Sequence, residues 1–189
     1  MMEPWQVHAV HAASSLAAKA HDGQYRGDST TPYIIHPARV AGLVVVFGGQ
    51  YTEVIAAWLH DVIEDCHHGE TTVAYGLSSL RLPGDDAITI YQMVKALTRD
   101  PSVEKEQRLQ ESLKRVLAAP PGATLVKLCD RLDNVLDIGK GKKEREKYVQ
   151  ETGMLLSMLF GRVVESGYTE AYEMLRVSTL LAAKEVISS

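Results

Sequence analysis

The chain has 189 residues, enough for a single domain, which we place over residues 1–189. With 46% hydrophobic and 23% charged residues it is typical of globular proteins, which excludes disordered, collagen-like and disulfide-stapled chains. The formal net charge of −4 excludes the overall basic field that attracts nucleic acids or anionic membranes. The longest apolar stretch, residues 40–49, is far shorter than the roughly 20 residues that cross a bilayer. An acidic N-terminus and only two cysteines, with nothing to pair them, predict a cytoplasmic protein.

Helical periodicity runs through most of the sequence and predicts an all-α fold of eight to ten helices. The spacing of apolar residues predicts helices over residues 4–21, 38–47, 52–66, 71–80, 87–97, 103–118, 124–138, 143–164 and 169–188. Residues 22–37 are rich in Gly, Pro, Ser and Thr, so this segment, which includes His36, is predicted to be a loop. The terminal helices pack either on their own core or against a second copy, so an oligomer is compatible with the sequence.

Three carboxylates are crowded at the end of the predicted helix 52–66. Asp61, Glu64 and Asp65 directly follow His60 and lie at i, i+3 and i+4, which places them on one face of a helix. Like charges at this spacing destabilise a helix by about 0.2–0.5 kcal/mol in water, and burial increases that cost. The residues before His60 are small and apolar, which indicates a buried helix. The pattern therefore predicts a cation among these carboxylates.

The predicted helix 124–138 carries a polar row beside an apolar stripe. The apolar stripe consists of Leu125, Leu128, Cys129, Leu132, Val135 and Leu136. The polar row consists of Lys127, Asp130, Asn134 and Asp137, again at steps of three and four residues. A cation, carboxylates and an amide in one row are typical of the wall of a site that binds a charged ligand.

Four residues together form a candidate metal site. His36, His60, Asp61 and Asp130 supply two imidazoles and two carboxylates, which suit Mn²⁺ first and then Fe²⁺ or Zn²⁺. No cysteine accompanies the histidines at zinc-finger spacing, which argues against a structural zinc site. A divalent ion lowers the pKa of a bound water and shields phosphoryl oxygens. Glu64 and Asp65, one turn further on, are then candidate acid/base residues.

These residues resemble the H…HD…D signature of the HD phosphohydrolase superfamily. Longer segments resemble the hydrolase domains of RelA/SpoT-type alarmone enzymes, over about residues 7–151. The matching segments are Ala-His-Asp-Gly-Gln-Tyr-Arg at 20–26, Thr-Pro-Tyr-Ile-Ile-His-Pro at 31–37, Leu-His-Asp-Val-Ile-Glu-Asp at 59–65 and Val-Lys-Leu-Cys-Asp-Arg-Leu-Asp-Asn at 126–134. The short segment Ala-Leu-Thr at 96–98 lies where the family has its own Leu/Val-Thr pair.

The resemblance implies an all-α enzyme that holds Mn²⁺ through the residues matching His36, His60, Asp61 and Asp130. It implies removal of the 3′-pyrophosphate from guanosine tetra- or pentaphosphate, which gives GDP or GTP and pyrophosphate. The sequence length resembles that of small, stand-alone alarmone hydrolases rather than long bifunctional enzymes.

The resemblance also implies roles for individual residues around the metal. Glu64 and Asp65 match the family's catalytic acidic pair, which orients the attacking water and manages protons. Arg26 matches a basic residue that packs on the guanine base, and Asn134 matches a residue near the nucleotide sugar. Lys127, from the polar row, is expected to help these two hold the nucleotide.

Two departures from the family pattern leave other functions open. Gly27 and Leu136 stand where many members carry a second basic residue and an arginine, so two cationic contacts to the substrate are missing. One alternative is therefore a phosphohydrolase of another phosphorylated nucleotide or of a dinucleotide cofactor. A second alternative is a nucleotide-binding sensor that no longer turns over, although a lapsed enzyme has no physical reason to retain the complete ligand set.

Overall fold

The computed structural model describes residues 2–27, 30–137 and 142–188, without the side chains of residues 142–144 and 185–188. Ten helices occupy these described residues, within the range of eight to ten predicted from the sequence. They are α1 (Pro4–Ala20), α2 (Ile35–Val46), α3 (Tyr51–Leu59), α4 (Val62–Asp65), α5 (Gly69–Ser79), α6 (Asp86–Leu97), α7 (Arg108–Ala118), α8 (Gly122–Leu136), α9 (Lys142–Ser166) and α10 (Thr169–Ser188). Within the described ranges, no helix is both long enough and apolar enough to cross a membrane.

The helices begin where local chemistry satisfies their first amide groups. At the start of α1, the Glu3 amide donates to Gln6 Oε1 at 2.8 Å, and Pro4 occupies the first helical position. At the start of α3, the amide of Gln50 donates to Glu53 Oε2 at 2.7 Å in the same kind of capping box. These two caps fix the first turns of the helices that pack against each other in the core.

The core lies around α3 and α8. Both helices are buried on more than one face, and each packs against α2 and α6 as well as against the other. The largest side chains with no exposure include Ile55, Leu59, Leu125, Leu128 and Leu132. Because α8 is almost entirely enclosed, any charged residue on it must find a partner inside the protein.

The predicted single helix 52–66 is wrong, because the chain breaks at His60 and Asp61 between α3 and α4. The Nδ1 atom of His60 lies 2.7 Å from the carbonyl oxygen of Ala57. An uninterrupted helix would give that carbonyl to the amide of residue 61, so the imidazole competes for the acceptor. The break turns the His60 and Asp61 side chains toward α2 and α8.

Other boundaries also differ from the prediction. The predicted loop 22–37 is too long, since α2 already begins at Ile35 and His36 lies in its first turn, where Pro37 is tolerated. The predicted helix 103–118 begins only at Arg108, because the carboxylate of Asp100 accepts hydrogen bonds from the amide and hydroxyl of Ser102 and holds a turn. The predicted helix 124–138 ends at Leu136, and residue 138 lies outside the described residues.

A hairpin-like loop between α1 and α2 positions two site residues. The amide of Arg26 donates to the carbonyl of Thr31 at 2.8 Å, and the amide of Tyr33 donates to the carbonyl of Gln24 at 2.9 Å. The loop thus folds back on itself before α2 begins. As a result, the side chains of Arg26 and Tyr33 reach the same cavity as His36.

Candidate metal centre and active site

Two imidazoles and two carboxylates meet where the start of α2, the end of α3 and the middle of α8 converge. The Nε2 atom of His36 lies 3.3 Å from His60 Nε2 and 3.3 Å from Asp130 Oδ1. The Oδ2 atom of Asp61 lies 3.1 Å from His60 Nε2 and 3.5 Å from His36 Nε2. The structure therefore brings together all four residues that the sequence analysis named as metal ligands.

The other ring nitrogen of each histidine is already engaged. His36 Nδ1 lies 2.7 Å from Asp133 Oδ2, and His60 Nδ1 lies 2.7 Å from the carbonyl oxygen of Ala57. Each partner fixes the orientation of its imidazole and leaves Nε2 facing the cluster, which is the usual arrangement of metal-ligating histidines. The sequence analysis missed Asp133, although it lies three residues after Asp130 on α8 and so shares its side of the helix.

The electrostatics of the cluster favour positive charge within it. Burial lowers the pKa of His36, but hydrogen bonds to Asp130 and Asp133 and the nearby carboxylate charges outweigh it and raise the pKa to about 9. The pKa of His60 is raised in the same direction, because the charge of Asp61 opposes the effect of burial. For the carboxyl group of Asp130, burial acts in the opposite direction and raises the pKa, yet Lys127 and the two histidines hold this pKa well below its ordinary value. Two buried carboxylates at one point thus require cationic partners.

The donor set fits a divalent cation. One ligand atom each from His36, His60 and Asp130 lie within 4.8 Å of one another, and Asp61 adds an oxygen beside the same two imidazoles. Nitrogen and oxygen donors in this mixture suit first-row divalent ions. These four residues would hold the ion, which when bound lowers the pKa of a coordinated water and shields phosphoryl oxygens.

Tyr33 links one candidate ligand to the acidic pair. Its hydroxyl lies 2.8 Å from Asp61 Oδ2 and 2.7 Å from Asp65 Oδ2, and its ring stacks on His21 with 4.9 Å between centroids. Burial and the two carboxylates raise the pKa of Tyr33 far above its ordinary value, so the hydroxyl keeps its proton and can donate it. Sequence reasoning missed this residue; its only signal was its position three residues before His36.

The two members of the predicted acidic pair face different neighbours. Arg99 binds Glu64 twice: its Nε lies 2.7 Å from Glu64 Oε1, and its main-chain amide donates to Oε2 at 2.8 Å. Glu64 lines the cavity in front of the metal cluster, whereas Asp65 is exposed and contacts the cluster through Tyr33. Asp61 precedes α4 as its N-cap residue, and its carboxylate still lies on the same side as that of Asp65, because the hydroxyl of Tyr33 contacts both.

The cluster opens into a cavity of about 300 Å³ between α6–α7 on one side and α8–α9 on the other. Four acidic residues line it, three of them in or beside the metal cluster: Asp61, Glu64, Asp130 and Glu151. Seven basic residues line it: Arg26, Arg99, Lys105, Arg108, Lys127, Arg131 and Lys147. A concave site with this excess of cations attracts a polyanionic ligand, although the protein as a whole is acidic.

The predicted substrate-binding residues all line this cavity. Lys127 Nζ donates to Asp130 Oδ2 at 2.9 Å, and Asn134 Nδ2 donates to Asp130 Oδ1 at 2.7 Å. Arg26 Nη2 lies 3.2 Å from Asn134 Oδ1 and 3.1 Å from Asp137 Oδ2. These contacts connect the hairpin-like loop to the polar row that begins on α8 and ends at Asp137.

The two departures from the family pattern lie outside the cavity wall. Leu136 was predicted to belong to the apolar stripe of α8, but its side chain is 66% exposed, so that assignment is wrong. It lies in the last turn of α8, beyond the enclosed part of the helix. Neither Leu136 nor Gly27 is among the residues that line the cavity.

Comparison with known proteins gives one family. The family model described as HD domain matches residues 13–163. A human relative named guanosine-3′,5′-bis(diphosphate) 3′-pyrophosphohydrolase MESH1 is 33% identical over 147 residues, which cover 74% of this chain and 75% of that protein. A Streptomyces coelicolor relative named GTP pyrophosphokinase is 31% identical over 148 residues, or 76% of this chain. The chain spans only 16–21% of the length of the long bacterial relatives that it matches.

A solved structure supports the fold. It is described as "A metazoan ortholog of SpoT hydrolyzes ppGpp and plays a role in starvation responses", and it superposes with a TM-score of 0.69 at 23% sequence identity. The match covers 98% of this chain and 97% of the other. The region that matches the HD domain model includes the helices that carry the candidate metal ligands. The sequence comparison and the structural comparison therefore point to the same fold. The chain belongs to the HD domain family.

Proposed function

We propose that this protein hydrolyses guanosine 3′,5′-bis(diphosphate) at the 3′-pyrophosphate and releases GDP and pyrophosphate. Mn²⁺ is the native cation in this proposal, held by His36, His60, Asp61 and Asp130. A single domain over residues 1–189 carries the activity, and the protein acts in the cytoplasm. The relatives named as 3′-pyrophosphohydrolases, including the human one, support this choice of substrate.

The observation that carries the proposal is the cationic cavity in front of the metal cluster. Seven basic side chains surround a volume of about 300 Å³ that opens directly onto His36, His60, Asp61 and Asp130. A nucleotide with two diphosphate groups is a polyanion, and guanidinium groups bind phosphoryl oxygens through paired hydrogen bonds. The same cavity contains an oriented carboxylate, which a simple nucleotide-binding site does not need.

The residues of the chain divide the chemistry between them. Glu64, fixed by Arg99, accepts a proton from the attacking water, whose oxygen bonds to phosphorus as the bond from phosphorus to the 3′ oxygen breaks. Tyr33, whose hydroxyl also contacts Asp65, holds Asp61 in place. The departing 3′ oxygen receives a proton from the Tyr33 hydroxyl, which lines the cavity and regains its proton through Asp65, so that it balances the proton that Glu64 takes from water. Arg26, Lys127 and Asn134 hold the nucleotide against α8.

The test is a hydrolysis assay with purified protein, guanosine tetraphosphate and Mn²⁺, following both GDP and pyrophosphate. We expect Asp130→Ala to lose bound metal and activity together, and Glu64→Gln to keep metal but lose at least about 100-fold in kcat. Glu111→Gln, which removes an exposed carboxylate from α7, is the matched control and should behave as the wild type.

One outcome would overturn the proposed substrate, and another would overturn the proposed role of Glu64. If the wild-type protein binds Mn²⁺ but does not cleave guanosine tetraphosphate, the substrate assignment is wrong and a panel of other phosphorylated nucleotides replaces it. If Glu64→Gln retains full turnover, the substrate assignment stands but the acid/base role of Glu64 is wrong. Metal content measured on each variant separates loss of the ion from loss of chemistry.

A further inference from the structure

A second groove adjoins the catalytic cavity on the side of α6 and α7. It has a volume of about 530 Å³ and is formed by the end of α6, the turn that follows it and two arginines of α7, Arg108 in the first turn and Arg115 in the last. Glu64, Arg99 and Arg108 line both spaces, so the two share a wall at the acid/base residue. We refer to this second space as the α6–α7 groove.

The α6–α7 groove is cationic even after its acidic residues are taken into account. Lys95 and Arg115 line it in addition to Arg99 and Arg108, which makes four basic side chains against Glu64 and Asp100. Lys95 pairs with Glu70 at 2.6 Å and Arg99 pairs with Glu64 at 2.7 Å, so these two cations are already neutralised. Among the described residues, Arg108 and Arg115 then remain as cations against Asp100, whose carboxylate accepts only from the neutral amide and hydroxyl of Ser102. An anion that enters the groove therefore meets more positive than negative charge.

Arg108 is held in place without being neutralised. Its Nε donates to the carbonyl oxygen of Val103 at 2.8 Å, and its Nη2 donates to the carbonyl oxygen of Pro101 at 3.1 Å. Both acceptors are neutral main-chain oxygens, so these contacts orient the guanidinium while its full charge remains. A guanidinium with one edge fixed presents its remaining N–H groups in a defined direction.

Arg115 provides an unsatisfied donor in the same groove. Its Nε atom is buried and has no hydrogen-bond partner among the described residues. A buried charged donor without an acceptor is costly, so such atoms point to an acceptor that binds from outside the chain. Arg115 lines the α6–α7 groove but not the catalytic cavity, which makes it a specific probe of the groove.

We propose that the α6–α7 groove is a diphosphate-binding subsite that receives the diphosphate of the nucleotide remote from the metal cluster. That the bound diphosphate belongs to the nucleotide rests on the proposed function, whereas the inference that the groove binds a diphosphate rests on the residues of the groove alone. Free pyrophosphate offers the same chemistry and is the other source that the experiment distinguishes.

The binding test uses inorganic pyrophosphate, titrated calorimetrically into the full-length protein after chelation of metal. We expect Arg115→Gln to weaken pyrophosphate binding about tenfold, as for loss of one charge-assisted contact. Lys114→Gln removes the same charge from the neighbouring, exposed position on α7 and should leave the affinity unchanged. Equal affinities for wild type, Arg115→Gln and Lys114→Gln would overturn the subsite.

The kinetic test identifies the source of the diphosphate. With guanosine 3′,5′-bis(diphosphate), Arg115→Gln should raise KM about tenfold and leave kcat unchanged. With guanosine 3′-diphosphate, which lacks the 5′ diphosphate, the variant and the wild type should have the same KM. An equal rise in KM for both substrates, or no rise for either, would overturn the assignment of the groove to the remote diphosphate.

Failure of the proposed function is distinguishable from failure of the subsite. A wild type that hydrolyses neither nucleotide overturns the proposed function, while the pyrophosphate titration still supports or overturns the subsite. If Arg115→Gln does not fold by circular dichroism, Arg115→Met replaces it, because methionine keeps an apolar stem of similar length and removes only the guanidinium. The same loss of pyrophosphate affinity in Arg115→Met supports the subsite, and unchanged affinity overturns it.

Discussion

Arg99 holds both carboxylate oxygens of Glu64, one through its side chain and the other through its main chain. The side-chain contact, from Nε to Oε1, is 2.7 Å long, and the main-chain contact, from the amide to Oε2, is 2.8 Å long. A carboxylate bound at both oxygens is confined to one orientation at the cavity wall, which proton transfer requires. Because the main-chain donor survives any substitution at position 99 except proline, the contribution of the guanidinium can be measured separately.

We expect Arg99→Ala to lower kcat about tenfold, since one charge-assisted hydrogen bond to Glu64 is lost while the amide contact remains. Arg99→Lys should recover part of the loss, because an ammonium can still reach one oxygen of Glu64. Steady-state kinetics with saturating substrate and Mn²⁺ measure this effect. Arg176→Ala, which breaks an exposed ion pair with Glu173, is the control and should leave kcat unchanged. A wild-type kcat in Arg99→Ala would contradict the positioning role.

Asp133 is expected to control metal affinity without contacting the metal. Its Oδ2 lies 2.7 Å from His36 Nδ1 and keeps the opposite nitrogen directed at the cluster. Asp133→Asn removes the charge that makes this imidazole a stronger ligand, so the affinity for Mn²⁺ should fall between about 10- and 100-fold. Calorimetric titration of the chelated protein with Mn²⁺ provides the measurement.

Asp137→Asn is the matched control for Asp133→Asn, because Asp137 lies one turn after Asp133, directly after the end of α8, and contacts Arg26 and Arg39 rather than a histidine. Its Mn²⁺ affinity should equal that of the wild type. Equal losses in both variants would mean that general charge near α8, and not the orientation of His36, sets the affinity.

The fold class followed directly from the sequence because helical periodicity depends on local spacing. The breaks that build the site were harder to predict. At the separation of α3 from α4, the His60 imidazole takes the Ala57 carbonyl as a partner while its Nε2 lies among residues of α2 and α8. Propensity favours a continuous helix over residues 52–66, so a contact between distant segments overrides the local preference.

The sequence predicted those residues of the candidate site that belong to a recognisable motif. It did not predict the residues whose role is to orient other side chains. His36, His60, Asp61 and Asp130 are the donor types that metals require, so composition and spacing identified them together. Asp133, Tyr33 and Arg99 act by orienting other side chains, and orientation depends on contacts across 97, 28 and 35 residues of chain. No pattern within a single helix encodes these contacts.

The stability of the metal-free protein should fall as the pH rises through about 9. The pKa of His36 is raised from 6.5 to about 9, so protonated His36 contributes stability that is fully present below pH 6.5 and is lost as pH rises through about 9. His60 is shifted in the same direction. Thermal unfolding of the chelated protein between pH 6 and 10 measures this loss.

Bound Mn²⁺ should change that pH dependence. The cation takes the place of the imidazole protons, so its apparent affinity should increase with pH up to about 9, where the proton on His36 no longer competes. Unfolding curves with excess Mn²⁺ should accordingly show a larger gain in Tm over the chelated protein at pH 8.5 than at pH 6.5. A gain that shrinks with rising pH would contradict the assignment of His36 as a ligand.

Gly69 is expected to be essential for the placement of α4, which carries Glu64 and Asp65. A Cβ atom at Gly69 would overlap the carbonyl oxygen of Val62 and crowd the Cα of Ile63, both main-chain atoms of α4 that cannot rotate away. Gly69→Ala should therefore lower the free energy of unfolding by about 1–3 kcal/mol and also reduce kcat, because α4 must shift. Gly42→Ala is the matched control: Gly42 lies within α2, a Cβ there would meet no atom within 4 Å, and the change should raise stability by about 0.5–1 kcal/mol. Urea denaturation of the two variants, with kcat measured in parallel, tests this prediction. The same added methyl group is expected to lower the free energy of unfolding at position 69 and to raise it at position 42.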